Sequence, residues 1–100
     1  MKIGIASDHR GYELKQNIIN KLTEYEIIDY GTYSTESVDY PDYAFKLGEK
    51  VAKHEVEFGI AICGSGIGIS IACNKVKGIR CAKYHQKKKH TIQEMIMIPI

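Results

Sequence analysis

The stretch from Phe58 to Asn74, F-G-I-A-I-C-G-S-G-I-G-I-S-I-A-C-N, limits the folds open to this chain more than any other. Gly59 to Ile62 is an uninterrupted apolar run of the kind carried by a strand buried on both faces, and Gly64, Gly66 and Gly68 follow it at alternate positions. A strand therefore enters a turn. Beyond the turn, Ile67, Ile71 and Ala72 recur at helical spacing, so a helix is expected to start at Gly66 to Gly68 with its unpaired backbone N–H groups directed into the loop. Such a loop suits an anion. Cys63 closes the strand at the mouth of the loop, where the positive end of a helix favours thiolate over thiol.

The rest of the chain supplies a frame for that loop. Lys2 to Ala6 reads as a first strand, Ser7-Asp8-His9-Arg10-Gly11 as a polar loop, and Leu14, Ile18 and Leu22 as the apolar stripe of a helix. Glu26 to Tyr30 is a second strand, ended by Gly31 and followed by a polar stretch from Thr32 to Asp39. Pro41 pre-sets the first turn of a second helix, Asp42 suits its positive end, and Tyr43, Leu47 and Val51 continue one face toward an end near His54. Ile79 to Ala82, after Lys77-Gly78, reads as a weaker fourth strand. Strands alternating with helices predict an α/β fold, a mostly parallel sheet with helices on both faces.

Ligands of such sheets bind beyond the carboxyl ends of the strands. That rule selects Ser7-Asp8-His9 after the first strand and Cys63-Gly64-Ser65 after the third, which become neighbours if those two strands are adjacent. Thiol, hydroxyl, imidazole and carboxylate then converge on one edge.

Composition narrows the remaining choices. One hundred residues, 44% of them hydrophobic, suit one core, so residues 1–100 are expected to form a single domain. A formal net charge of +2 argues for no nucleic-acid partner, and the run Lys87 to Lys89 reads as a solvated face. The apolar run in M-K-I-G-I-A-S-D is too short for a signal peptide, and no segment approaches the roughly 18 apolar residues of a membrane span. A cytoplasmic protein with no membrane partner is expected. The three cysteines, Cys63, Cys73 and Cys81, form no C-x-x-C pair, and His54, His85 and His90 have no ligand spacing, so no metal site is expected.

Several chemistries compete for the glycine loop. A dinucleotide fingerprint requires G-x-G-x-x-G near the first strand, whereas this loop is G-S-G-I-G-I after the third. A phosphate-binding Walker loop requires Lys then Ser or Thr after its last glycine, but Ile69 and Ser70 follow Gly68. A cysteine phosphatase would place an Arg in the loop, and Gly64 to Ser70 has no basic residue. A thiolate beside backbone donors is suited instead to removing a proton from carbon next to a carbonyl, because the glycine N–H groups would hold the enolate oxygen that develops.

The runs Ser7-Asp8-His9, Val38-Asp39-Tyr40-Pro41-Asp42-Tyr43-Ala44 and Cys63-Gly64-Ser65-Gly66-Ile67-Gly68, with Asn74-Lys75 and Gly78-Ile79-Arg80, resemble ribose-5-phosphate isomerase B and its sugar-phosphate isomerase relatives. The likeness covers roughly residues 1 to 85. It implies a Rossmann-like three-layer fold, no cofactor, and a homodimer with active sites between subunits. It also implies interconversion of ribose 5-phosphate and ribulose 5-phosphate through an enediolate, a step of the pentose phosphate pathway. On that resemblance Cys63 would be the base that moves a proton between C2 and C1, and Ser65 would assist at the sugar ring. Gly64, Ser65, Gly66, Ile67 and Gly68 would hold the enediolate through backbone N–H groups, Asp8 and His9 would contact sugar hydroxyls or phosphate, and Tyr40 would line the pocket.

Two departures from the family pattern stand out. Arg10 replaces the small residue that usually follows Asp-His, and is expected on the surface. The tail from residue 86 to Ile100 lacks the family's ring-opening histidine motif, last strand and arginine-bearing C-terminal helix, as a truncated or frameshifted gene would. An inactive remnant, a non-catalytic sugar-phosphate-binding protein, or a subunit like galactose-6-phosphate isomerase is the alternative expectation.

Overall fold

A computed structural model of the chain describes residues 1–33, 40–63, 75–84 and 93–99. Five strands and two helices are described: β1 (Lys2–Ser7), α1 (Tyr12–Lys21), β2 (Glu26–Asp29), α2 (Tyr40–Ala52), β3 (Phe58–Cys63), β4 (Ile79–Tyr84) and β5 (Gln93–Pro99). The helix expected after Cys63 lies outside the described residues. The strands form one sheet in the order β2-β1-β3-β5-β4. β1 pairs in parallel with β2 and β3, while β5 runs antiparallel to both of its neighbours, β3 and β4. β1 to β4 thus share one direction, and the sheet is mostly parallel.

The register explains the two faces of the sheet. Gly4 pairs with Gly59 and Ala6 with Ala61, and these small residues lie under α2. The α2 stripe of Ala44, Leu47 and Val51 is fully buried there, in one cluster with Ala6, Val56, Ala61, Ile79 and Met97. The helix can come so close only because two glycines stand opposite it: a Cβ on Gly4 would lie 2.7 Å from Leu47 Cδ1, and one on Gly59 3.0 Å from it. Side chains of alternate residues point the other way. Ile3, Ile5 and Ile62 are buried on that second face, where the start of α1 meets Ile62. Helices therefore cover both faces.

β5 comes from the tail. Its alternation is that of a strand with one covered face, since Met97 is fully buried in the α2 cluster while Ile96 and Ile98 are 40% and 45% exposed. Its neighbours in register are Ile60 and Ala82 for Ile96, and Arg80 for Ile98.

Candidate functional site at the carboxyl edge of β1 and β3

β1 and β3 are adjacent, and Ser7 pairs with Ile62. One residue further, the Asp8 N–H donates to the Ile62 carbonyl at 3.1 Å, which carries the ladder past the end of β1 and sets Asp8 beside Cys63, the last residue of β3. The two sequence segments selected by the strand-end rule are thus brought together. Asp8 is 7% exposed, and its Oδ1 accepts the Gly11 N–H at 2.9 Å, a short-range bond that closes the turn before α1. The carboxylate expected to contact sugar hydroxyls or phosphate thus also holds a turn. His9 is half-buried within that turn, and Arg10 is exposed, as expected.

Gly11 locks this turn onto β3. A Cβ there would stand 2.8 Å from the Ile62 carbonyl oxygen and 3.0 Å from its carbonyl carbon. Backbone atoms cannot yield as the tip of a side chain can, so only glycine lets α1 start this close to the strand end.

A third segment braces the site from the other side. Beyond β2 the chain stays on β1: the Tyr30 N–H donates to the Ile5 carbonyl (2.8 Å), the Ser7 N–H to the Gly31 carbonyl (2.7 Å) and the Thr32 N–H to the Ser7 carbonyl (2.9 Å). Lys15, fully buried on α1, fastens this segment by donating to Asp29 Oδ1 at 2.6 Å and to the Thr32 carbonyl at 2.5 Å. The apolar periodicity of α1 points to Leu14, Ile18 and Leu22 as its covered face, yet those three are only half-buried. No local signal marks a lysine whose partner lies 14 residues away. Ser7 itself is fully buried, and among the described residues its hydroxyl has no hydrogen-bond partner.

Tyr40 opens α2, and its side chain, that of Cys63, and residues Gly64, Ser65, Gly66, Ile67 and Gly68 lie outside the described residues. Among the described residues no group of three or more His, Cys, Asp or Glu is placed to hold a metal ion, and no helix is long and apolar enough to cross a membrane.

Parallel strands whose carboxyl ends bring Asp8 and His9 beside Cys63 define an α/β protein with a candidate ligand site at that edge. Comparison with known proteins makes the class specific. The profile of the Ribose/Galactose Isomerase family matches residues 3–95, and the chain belongs to that family. Ribose-5-phosphate isomerase B of Escherichia coli is 52% identical over 81 residues, which are 79% of this chain and 54% of that protein. The solved structure of ribose-5-phosphate isomerase B from Clostridium thermocellum matches with a TM-score of 0.77 and 58% identity, over 80% of this chain and 55% of its own. That from Thermotoga maritima matches with a TM-score of 0.76 and 53% identity, over 79% and 56%. The chain thus spans 54% to 56% of the length of these relatives.

Proposed function

We propose that the chain is a cofactor-independent sugar-phosphate isomerase that interconverts ribose 5-phosphate and ribulose 5-phosphate. The observation that carries this reading is the adjacency of Asp8 to Cys63 at the ends of two paired parallel strands, within a member of this family. The Cys63 thiolate takes the C2 proton of the open-chain aldose, and the electron pair moves through C1 to the carbonyl oxygen to give an enediolate. The same thiol returns the proton to C1 while the proton of the C2 hydroxyl passes to the C1 oxygen, which leaves a C1 alcohol and a C2 ketone. Backbone N–H groups from Gly64 to Gly68 hold the developing oxyanion, and Ser65 assists at the ring. Asp8, His9 and Tyr40 bind the sugar phosphate. The reading extends to a cytoplasmic homodimer.

The test is interconversion of the two pentose phosphates by the purified 100-residue chain beside its Cys63→Ala variant. Turnover by the chain that falls in the variant by at least about a hundredfold is the expected result. A folded chain that binds ribose 5-phosphate without turning it over would replace this reading with a non-catalytic sugar-phosphate-binding protein. Turnover of galactose 6-phosphate alone would move it to the other branch of the family.

A further inference from the structure

An ammonium group removed from water is costly unless its donors are used, and Lys15 is 0% exposed. Its donors reach the Asp29 carboxylate and the Thr32 carbonyl, and its charge lies 5.3 Å from the ring centres of both Tyr12 and Tyr33. Asp29 is drawn into the same knot, because its Oδ1 also accepts the Gly31 N–H at 2.9 Å and its backbone carbonyl accepts the Tyr33 hydroxyl at 3.1 Å. An apolar side chain could fill this volume. Only a cation with several donors can hold a carboxylate and a carbonyl together, and both belong to the segment that closes the ladder on Ser7, the residue before Asp8.

We propose that Lys15 is a positioning residue: by clamping Asp29 and Thr32 from beneath, it holds residues 30–32 against the end of β1 and thereby fixes where Asp8 and His9 stand. Its bearing on substrate rests on the isomerase reading above; its bearing on the loop does not. The chain of contacts is continuous. Lys15 fixes Thr32, the Thr32 N–H and the Gly31 carbonyl fix the backbone of Ser7, and Asp8 follows with its N–H on Ile62.

The experiment compares Lys15→Met with Val51→Ala, a cavity variant on the opposite face of the sheet. Native-state hydrogen exchange is read at the amides of Ser7, Asp8 and Thr32 and at those of central β3. In Lys15→Met, exchange at the three site amides accelerates on the order of tenfold more than at the β3 amides, because the segment opens by itself. In Val51→Ala all of them accelerate together. Uniform acceleration in Lys15→Met, or none, would overturn the proposal, and Asp29→Asn is read in the same way if Lys15→Met does not fold. On ribose 5-phosphate, Lys15→Met raises KM on the order of tenfold to a hundredfold, with a smaller fall in kcat. An unchanged KM beside selective exchange would overturn the positioning of the substrate contacts. If the parent chain does not turn over the sugar, the isomerase reading falls, and the exchange pattern still decides whether Lys15 holds the loop.

Discussion

Gly4 and Gly59 face each other directly across the β1–β3 ladder, and together they form the slot in which Leu47 lies. A methyl group on Gly59 would meet Leu47 Cγ, Cδ1 and Cδ2 at 3.0 to 3.1 Å, and one on Gly4 would also meet Tyr30 Cε2 at 3.0 Å and Val56 Cγ2 at 3.2 Å. Leu47 is fully buried, so it cannot swing into solvent to make room. Gly59→Ala is expected to destabilise the fold by about 1–3 kcal/mol, the usual cost of overpacking a filled core. Urea unfolding would show this as a lower midpoint with unchanged slope. Shortening Leu47 to Val in the Gly59→Ala background should then cost less than the same change in the parent, and strictly additive losses would show that the two positions do not share this slot.

These two glycines also show how much was legible in the sequence. The first strand, the strand before the glycine loop and the Leu47–Val51 face of α2 follow from local periodicity, and the structure has the strands at nearly the expected bounds: Lys2–Ser7 for Lys2 to Ala6, and Phe58–Cys63 for the strand that Cys63 closes. The strand-end rule selects the Asp8 and Cys63 segments and makes them neighbours only if β1 and β3 are adjacent, a pairing that the structure supplies. What stayed hidden depends on partners distant in sequence. Lys15 looks like any solvated lysine of an amphipathic helix until Asp29 and Thr32 are folded against it, and Gly11 looks like a turn glycine until Ile62 lies beneath it. That the tail forms strand β5 between β3 and β4 is a matter of long-range pairing that no local pattern encodes.

The Ser7 hydroxyl is fully buried with no hydrogen-bond partner among the described residues, next to the residue proposed to meet substrate. An unsatisfied buried hydroxyl carries its desolvation cost without return, so Ser7→Ala should leave stability unchanged or raise it by up to about 1 kcal/mol. Thermal unfolding of the two proteins checks this. A loss of more than about 1 kcal/mol would mean that the hydroxyl has a partner, such as a buried water.

Tyr30 follows β2 and packs its ring against the α2 cluster, with Lys46 Nζ 5.9 Å from the ring centre. Burial holds its phenol above the ordinary value of 10.0, and the nearby Glu55 adds to this while Lys50 opposes it. The folded state therefore keeps this proton more tightly than the unfolded chain does. The stabilisation is complete below the unfolded value near pH 10 and is lost as pH rises through the raised folded value. Stability should thus fall more steeply above pH 10 in the parent than in Tyr30→Phe, and parallel pH curves for the two would exclude a contribution from this phenol.

α2 ends in a backbone conformation that its sequence does not favour. The His54 N–H donates to the Val51 carbonyl and the Glu55 N–H to the Lys50 carbonyl, both at 3.0 Å, which is the paired bonding of a helix closed by a left-handed residue. That residue is His54, at φ 60°, where glycine would normally stand. The imidazole is exposed. His54→Gly should relieve the Cβ clash of the left-handed region at the cost of a more flexible unfolded chain, for a net gain of up to about 1 kcal/mol. His54→Val, β-branched and least tolerant of positive φ, should lose stability by a similar amount. Denaturant midpoints in the order Gly, His, Val would establish that the closure of α2, and with it the approach into β3, is set by this one backbone angle; equal midpoints for all three would show that the helix end relaxes freely.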